Sequence, residues 1–311
     1  MNRMTKILLV FSAVIPVWAG GLRAGDYQMI TDLGSSARTI AIGNIEGFSY
    51  SPSEIFGNPA GISSRTGSSL ALFSATLMNE FTFNSVGMTT QTPFGTIGVG
   101  FMQASILNVP FTGKRDASQN LNEPFYTISE FDYKNTVSKL VYQKQFPDQR
   151  LSLGAAATRY ATAFHDVSGS GYNVDIGAIL DLEKISFSMA IKNVFPFHMN
   201  YNSGVSEKLP FQWISGVTYG FFDTDLLFQL KNSGGQNLIS AGLVYAPGFA
   251  RYFQILAGYK ESMVPGVAKP KTSGTLGLGL KLNSLQVYYA YEKSDHFEFD
   301  STHYFSTVLD I

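Results

Sequence analysis

The chain has 311 residues, 45% of them hydrophobic and only 14% charged, with a formal net charge of −1 and no cysteine. Charge so far below the ~25% usual in soluble proteins leaves too little polar surface for a soluble chain of this length, and the near-neutral balance argues against nucleic acid as a partner. Without cysteine there is no disulfide framework, no thiolate metal site and no lipid-modified N-terminal cysteine.

In chain order, residues 1–24 read as a secretory signal: Arg3 and Lys6 precede the apolar run Ile7-Leu8-Leu9-Val10-Phe11, Pro16 breaks it, and cleavage is expected after Ala19 or Ala24. Its removal takes away Arg3, Lys6 and Arg23 but no acidic residue, so the mature chain is acidic. Residues 25–67 form a second expected unit. Within it, 34–62 shows no strand period and runs from Gly34-Ser35-Ser36-Ala37-Arg38 to Asn58-Pro59-Ala60-Gly61.

Residues 68–311 alternate apolar and polar side chains at the two-residue period of a β-strand in about fourteen stretches. The pattern predicts strands near 68–76, 82–92, 95–105, 131–145, 150–163, 171–182, 184–193, 212–222, 225–231, 237–246, 252–260, 273–282, 285–293 and 303–311. Short connections such as Pro93-Phe94, Glu183, Asp223-Thr224 and Asn283-Ser284 alternate with longer ones at 77–81, 106–130, 164–170, 194–211, 232–236, 261–272 and 294–302. No internal run approaches the roughly 18–20 apolar residues of a membrane helix. The expected fold is therefore all-β: a transmembrane antiparallel β-barrel of about 14 strands in a bacterial outer membrane, with both chain ends on the short-turn, periplasmic side. Leu276, Leu278 and Leu280 would face lipid, and Thr275, Gly277 and Gly279 the lumen. Aromatics near strand ends (Phe94, Phe146, Trp213, Phe222, Phe249, Tyr304) are expected to form interfacial girdles. A stripe of inward glycines, including Gly154, Gly177, Gly216, Gly220, Gly242, Gly258, Gly277 and Gly279, would leave room for a plug.

The sequence resembles the PorV/PorQ-like and FadL-like outer-membrane barrels. The likeness is carried by Gly34 to Asn44, by Asn58-Pro59-Ala60-Gly61 ahead of the first strand, and by Leu151-Ser152-Leu153-Gly154, Asp175 with Gly177, Lys192-Asn193-Val194, Leu209-Pro210-Phe211 and Ser301 to Ser306. Residue 44 is Asn where a second glycine is usual, and Ser51-Pro52-Ser53 replaces an acidic pair. The resemblance implies an N-terminal hatch folded into the lumen, bearing Arg38, Gly43, Glu46, Glu54, Asn58, Pro59, Ala60 and Gly61. Irregular backbone at membrane depth is tolerated only inside such a barrel. Arg38, Glu46 and Glu54 would then need partners, and Asp175, Asp181, Lys192, Lys231 and Glu292 are the candidates. Gly61 is expected to permit a positive φ in the turn to the first strand.

Two functions follow from the resemblance. In the FadL-like one the barrel takes up hydrophobic small molecules of the long-chain fatty acid type through an entrance of Phe111, Phe125, Phe195, Pro196 and Phe197. In the PorV-like one those loops hold another protein of a type IX-like secretion system and nothing is transported. Partners are outer-membrane lipid and either the hydrophobic ligand or the secretion protein, and the barrel is expected to be a monomer. The pairs His165-Asp166 and Asp295-His296 have the residue types of an acid/base couple. They stand in loops with no further catalytic motif, so neither an enzyme nor a bound metal or cofactor is expected.

Overall fold

The computed structural model describes residues 30–63, 67–77, 81–114, 125–233, 235–263, 270–293 and 301–311. The signal segment, residues 25–29 and the Asp295-His296 pair lie outside the described residues. The strands are β1 (Ser68–Leu77), β2 (Phe81–Thr92), β3 (Gly95–Lys114), β4 (Phe125–Phe146), β5 (Leu151–Phe164), β6 (Val167–Leu182), β7 (Ile185–Lys192), β8 (His198–Tyr201), β9 (Ser206–Lys208), β10 (Gln212–Phe221), β11 (Thr224–Ser233), β12 (Gln236–Tyr245), β13 (Phe253–Ser262), β14 (Lys271–Lys281), β15 (Leu285–Glu292) and β16 (Thr302–Asp310). Each barrel strand pairs antiparallel with its neighbours; β1 pairs with β16 and β5 with β6, which closes a barrel of 14 strands. The remaining two, β8 and β9, form a hairpin between β7 and β10, attached to β6 through Gly169 and Ser170.

The alternation has the expected sense. On β14, Leu276 is 60% exposed on the outer wall while Thr275 beside it is 2% exposed. Outward apolar side chains continue around the wall through Phe305, Leu72, Val86, Val99, Leu140, Leu153, Ile176, Phe228 and Ile255. Soluble monomers rarely keep so extensive an apolar surface, whereas a bilayer requires it. Phe94, Phe222, Phe249 and Tyr252 stand exposed along the short-turn rim, the place of a lower girdle. Trp213 and Tyr304 do not belong to a girdle: both are buried, and Tyr304 turns inward to give its hydroxyl to Glu292.

Several connections differ from expectation. Residues 106–130 are not one loop, because β3 runs on to Lys114 and β4 starts at Phe125. The pairing register slips between Ile106 and Val109, where Asn108 has φ 57°, and this bulge breaks the two-residue period. Residues 164–170 are also mostly strand. His165-Asp166 alone makes the turn, with His165 at φ 50°, and the Ser/Gly-rich stretch after it pairs as β6. The wall from β3 to β6 thus rises well beyond the other side, as strands of 14 to 22 residues face ones of 8 to 11.

Candidate functional site

The lumen is occupied. Residues 30–62 pack against the inner wall, with a short helix α1 (Ala37–Ala41) and 3-10 turns at Ile30–Leu33, Pro52–Ile55 and Pro59–Gly61. Ile40, Ile42, Ile45, Ile55 and Phe56 share one core with inward-facing Phe83, Met102, Val137, Tyr160, Leu256 and Tyr288. Ser36 caps α1, exchanging bonds with Thr39. The helix is tied to the wall by Ala37 N–H to Ser306 Oγ (3.2 Å) and by the Thr275 hydroxyl to Ala41 O (3.1 Å).

Wall glycines make this approach possible. A Cβ on Gly258 would run into the backbone of Ile42 and Gly43, and one on Gly154 into the backbone of Pro59 and Ala60. Gly177, Gly216, Gly242 and Gly277 likewise face the segment, whereas Gly220 and Gly279 face neighbouring wall residues instead. On the segment, Gly43 (φ 81°) and Asn44 (φ 59°) turn the chain after α1. Asparagine tolerates the left-handed region, so the Asn44 departure preserves the turn, and its Nδ2 also donates to Asp32 O at 3.0 Å.

The buried charges are partnered as follows. Glu46 meets Lys192 at 2.6 Å, both almost fully buried, and Lys231 at 3.8 Å. Lys231 in turn holds Asp32 at 2.6 Å, and Gln212 donates to the same carboxylate. Burial works to raise the Asp32 carboxyl, but the Lys231 ammonium, with help from Lys192 and Gln212, outweighs it and holds Asp32 below its ordinary value. Asp32 was not among the expected site residues. Among the described residues Glu54 pairs with no lysine. Its carboxylate accepts from Gly47 N (2.8 Å), Ser49 N (3.1 Å), Ser49 Oγ (2.6 Å) and Asn58 N (3.3 Å), which ties the segment to itself. Burial pushes this carboxyl above the usual range, and the Ser49 and Gly47 donors act against that without reversing it. For Arg38, Nη1 has no hydrogen-bond partner among the described residues.

Of the other expected partners, Asp181 accepts from the Tyr50 hydroxyl at 2.8 Å. Glu292 and Asp175 serve the wall instead, Glu292 pairing with Lys260 at 2.8 Å and Asp175 with Lys139 at 2.5 Å. Lys139 is a second residue the sequence did not single out. Asn58 is extended (φ −91°, ψ 115°) ahead of Pro59; it accepts from Ala60 N at 2.9 Å and donates to Ser188 Oγ at 2.8 Å. Gly61 does not take the expected positive φ. It closes a 3-10 turn, and its missing side chain leaves room for Glu54 Cγ and Gly47.

The motifs scattered along the sequence meet here. Asp175 accepts from Asn193 N, Asn193 turns the chain off the wall at φ 56°, and its Nδ2 reaches Pro210 O at 2.8 Å. Beyond this knot the β8–β9 hairpin lays Met199 and, next to it, Leu209 onto the lumen core. The expected entrance residues stand on the outer side, all exposed. Phe111 stacks on His165, which also meets Phe131, and Phe195 stacks on Phe197. No ring contact among the described residues joins these groups, and Phe125 stands at the start of β4. His165 Nδ1 lies 3.0 Å from Asp166 Oδ2 within that aromatic cluster.

No family model matches the sequence, and no curated protein matches it significantly. Solved structures do share the architecture. CymD, a monoaromatic hydrocarbon channel, superposes with a TM-score of 0.61 at 13% identity, over 90% of this chain and 98% of its own. The P. putida toluene transporter TodX gives 0.59 at 12% identity, over 88% of this chain and 96% of its own. A deltaS2S3 mutant of TodX gives 0.62 at 12% identity, over 89% and 99%. The chain is a multi-pass β-barrel of the bacterial outer membrane. The likeness is one of fold, and the lipid-facing belt described above agrees with it.

Proposed function

We propose that this barrel is an uptake channel for small hydrophobic molecules and that residues 31–62 are its hatch. The observation that carries the reading is the construction of the lumen: a separate, irregular segment fills it, seated on glycines and held to the wall by a few ion pairs. A water-filled pore lined by long charged side chains has no use for such a segment, while an apolar solute needs a path shielded from water. The resemblance in fold to CymD and TodX, described as a monoaromatic hydrocarbon channel and a toluene transporter, supports the same reading. The solute enters among Phe111, Phe125, Phe195, Pro196 and Phe197 and leaves past a displaced hatch. The substrate class extends to monoaromatic hydrocarbons as well as long-chain fatty acids.

A second reading, a secretion scaffold of the PorV kind, draws on the tall β3–β4 extension, where Leu107, Phe111, Phe125, Tyr126 and Ile128 are exposed. Such a surface greets a protein as readily as a ligand. Uptake of radiolabelled toluene and of a labelled long-chain fatty acid by cells producing the protein separates the two. Saturable uptake of either solute, reduced by serine at Phe111, Phe125, Phe195 and Phe197, is expected. Absence of uptake, with a large membrane protein co-purifying through the extension, would replace the channel with the scaffold.

A further inference from the structure

The outer wall is not uniformly apolar. Where β11–β16 present Leu226, Phe228, Ile239, Ile255, Leu276 and Leu278, the wall of β1–β3 carries a polar row. Ser74 pairs with Asn84, and Asn84 with Gln103. Their chain neighbours Phe73, Phe83 and Met102 point into the core, so these three side chains point out. None of them has a hydrogen bond to another described residue. They line a groove of about 500 Å³ in the lipid-facing surface, bordered by Phe101 and Phe305.

A second observation stands two strands further on. Arg159 of β5 lies between Thr158 and Tyr160, which both face inward and are buried, so its exposed guanidinium faces outward. It has no hydrogen bond or ion pair to any described residue. Of the other outward charges, Lys134 pairs with Asp132 at 2.9 Å, Lys144 donates to Phe94 O at the lower rim, and Glu261 accepts from Ile239 N at the upper. Around Arg159 the wall offers Ser138 and Tyr172 in register, and along β5 only the small side chains of Ala155, Ala157, Ala161 and Ala163.

Depth decides what these groups meet. Ser74, Asn84, Gln103 and Arg159 stand six to eight residues above the lower ends of their strands at Ser68, Thr92, Gly95 and Leu151. At ~3.3 Å per residue and ~40° tilt this is about 15–20 Å up an apolar band about 25 Å tall, within the outer leaflet and close to its headgroups. A bare guanidinium and three unpaired amide or hydroxyl groups are costly against hydrocarbon. A planar guanidinium is matched by phosphate oxygens, which take its fork in pairs. Amide and hydroxyl groups match the ester or amide linkages from which acyl chains begin.

We propose that the outward face of β1–β5 binds a phosphorylated, multiply acylated lipid of the outer leaflet, with Arg159 on a phosphate, Ser74, Asn84 and Gln103 on the acyl linkages, and a chain in the groove beside Phe101 and Phe305. The site is independent of what the lumen carries. It is tested on the full-length protein, purified in mild detergent, by lipid retention in native mass spectrometry and by the thermal unfolding midpoint after addition of defined lipids. The phosphorylated glycolipid of the outer membrane is expected to be retained and to raise the midpoint. The same lipid after dephosphorylation, phosphatidylcholine and inorganic phosphate are expected to do neither. Arg159→Gln is expected to lower retention at least tenfold, Arg159→Lys to give an intermediate value, and Asn84→Leu with Gln103→Leu to lower it several-fold. The lower-rim control Arg251→Gln is expected to leave it unchanged. Arg159, Asn84 and Gln103 face outward and Arg251 is exposed in a turn, so the variants should keep the heat-modifiable gel shift of a folded barrel. Equal retention by wild type and Arg159→Gln, equal binding of phosphatidylcholine or the dephosphorylated lipid, or protection by inorganic phosphate alone would overturn the site.

Discussion

Lys192 is the sharpest test of whether residues 31–62 act as a hatch. Its ammonium lies 2.6 Å from Glu46 Oε2 and donates to Phe56 O at 3.1 Å, so a single wall residue grips the segment at two points. Replacing it with methionine keeps the volume and removes the charge. Stranding one partner of a buried ion pair costs about 3–5 kcal/mol. The lower end applies here because Lys231 remains 3.8 Å from the other Glu46 oxygen. About 3 kcal/mol shifts the ratio of undocked to docked segment roughly 100-fold. The native chain has no cysteine, so a thiol placed at buried Ser53 reports undocking through its rate of modification by a water-soluble reagent, provided opening is fast relative to labelling. Lys192→Met should raise that rate by about two orders of magnitude. Adding Glu46→Leu should recover most of the loss, because a buried pair can be exchanged for apolar groups of similar size, whereas half of one cannot be left behind. The residual deficit would be the Phe56 carbonyl, left without its donor. An unchanged labelling rate in Lys192→Met, or no recovery in the double variant, would refute the assignment of this pair as the tether.

Two further outcomes follow from the same geometry. Because Asp32 is held below its ordinary value of 3.8 in the docked segment, its tether to Lys231 is at full strength above that pH and is lost as pH falls through the lowered value; Ser53→Cys labelling should therefore stay slow from neutral pH to about 4 and rise in stronger acid, while Asp32→Asn should label fast already at neutral pH. Gly258→Val places side-chain atoms where the backbone of Ile42 and Gly43 now lies, so it should raise single-channel conductance in planar bilayers while the barrel keeps its heat-modifiable gel shift, and a silent Gly258→Val would mean that α1 does not rest on this wall.

The barrel was legible in the sequence because a membrane imposes the same local rule on every strand. Leu276, Leu278 and Leu280 must meet lipid, Gly277 and Gly279 must not, and a two-residue period carries that information without reference to any other part of the chain. The same locality explains where the reading ended. Above the lipid both faces of β3 and β4 are wet, the period lapses at the Asn108 bulge, and a paired ribbon reads as a loop. Partnership among the inner charges was legible only as a set of candidates: Lys192 and Lys231 stood among those offered to Glu46, and the structure pairs both with it, but Asp32 and Lys139 were not singled out. Lys139 and Asp175 are 36 residues apart, and Asp32 and Lys231 are 199 apart; only strand register and the path of residues 30–62 decide that Lys192 takes Glu46 while Asp175 takes Lys139. Glu54 shows the limit most plainly. Its sequence position called for a cation on the wall, but the fold curls 47–58 around it and supplies backbone amides instead, because a tight turn delivers several N–H groups to one carboxylate more closely than any side chain from the wall.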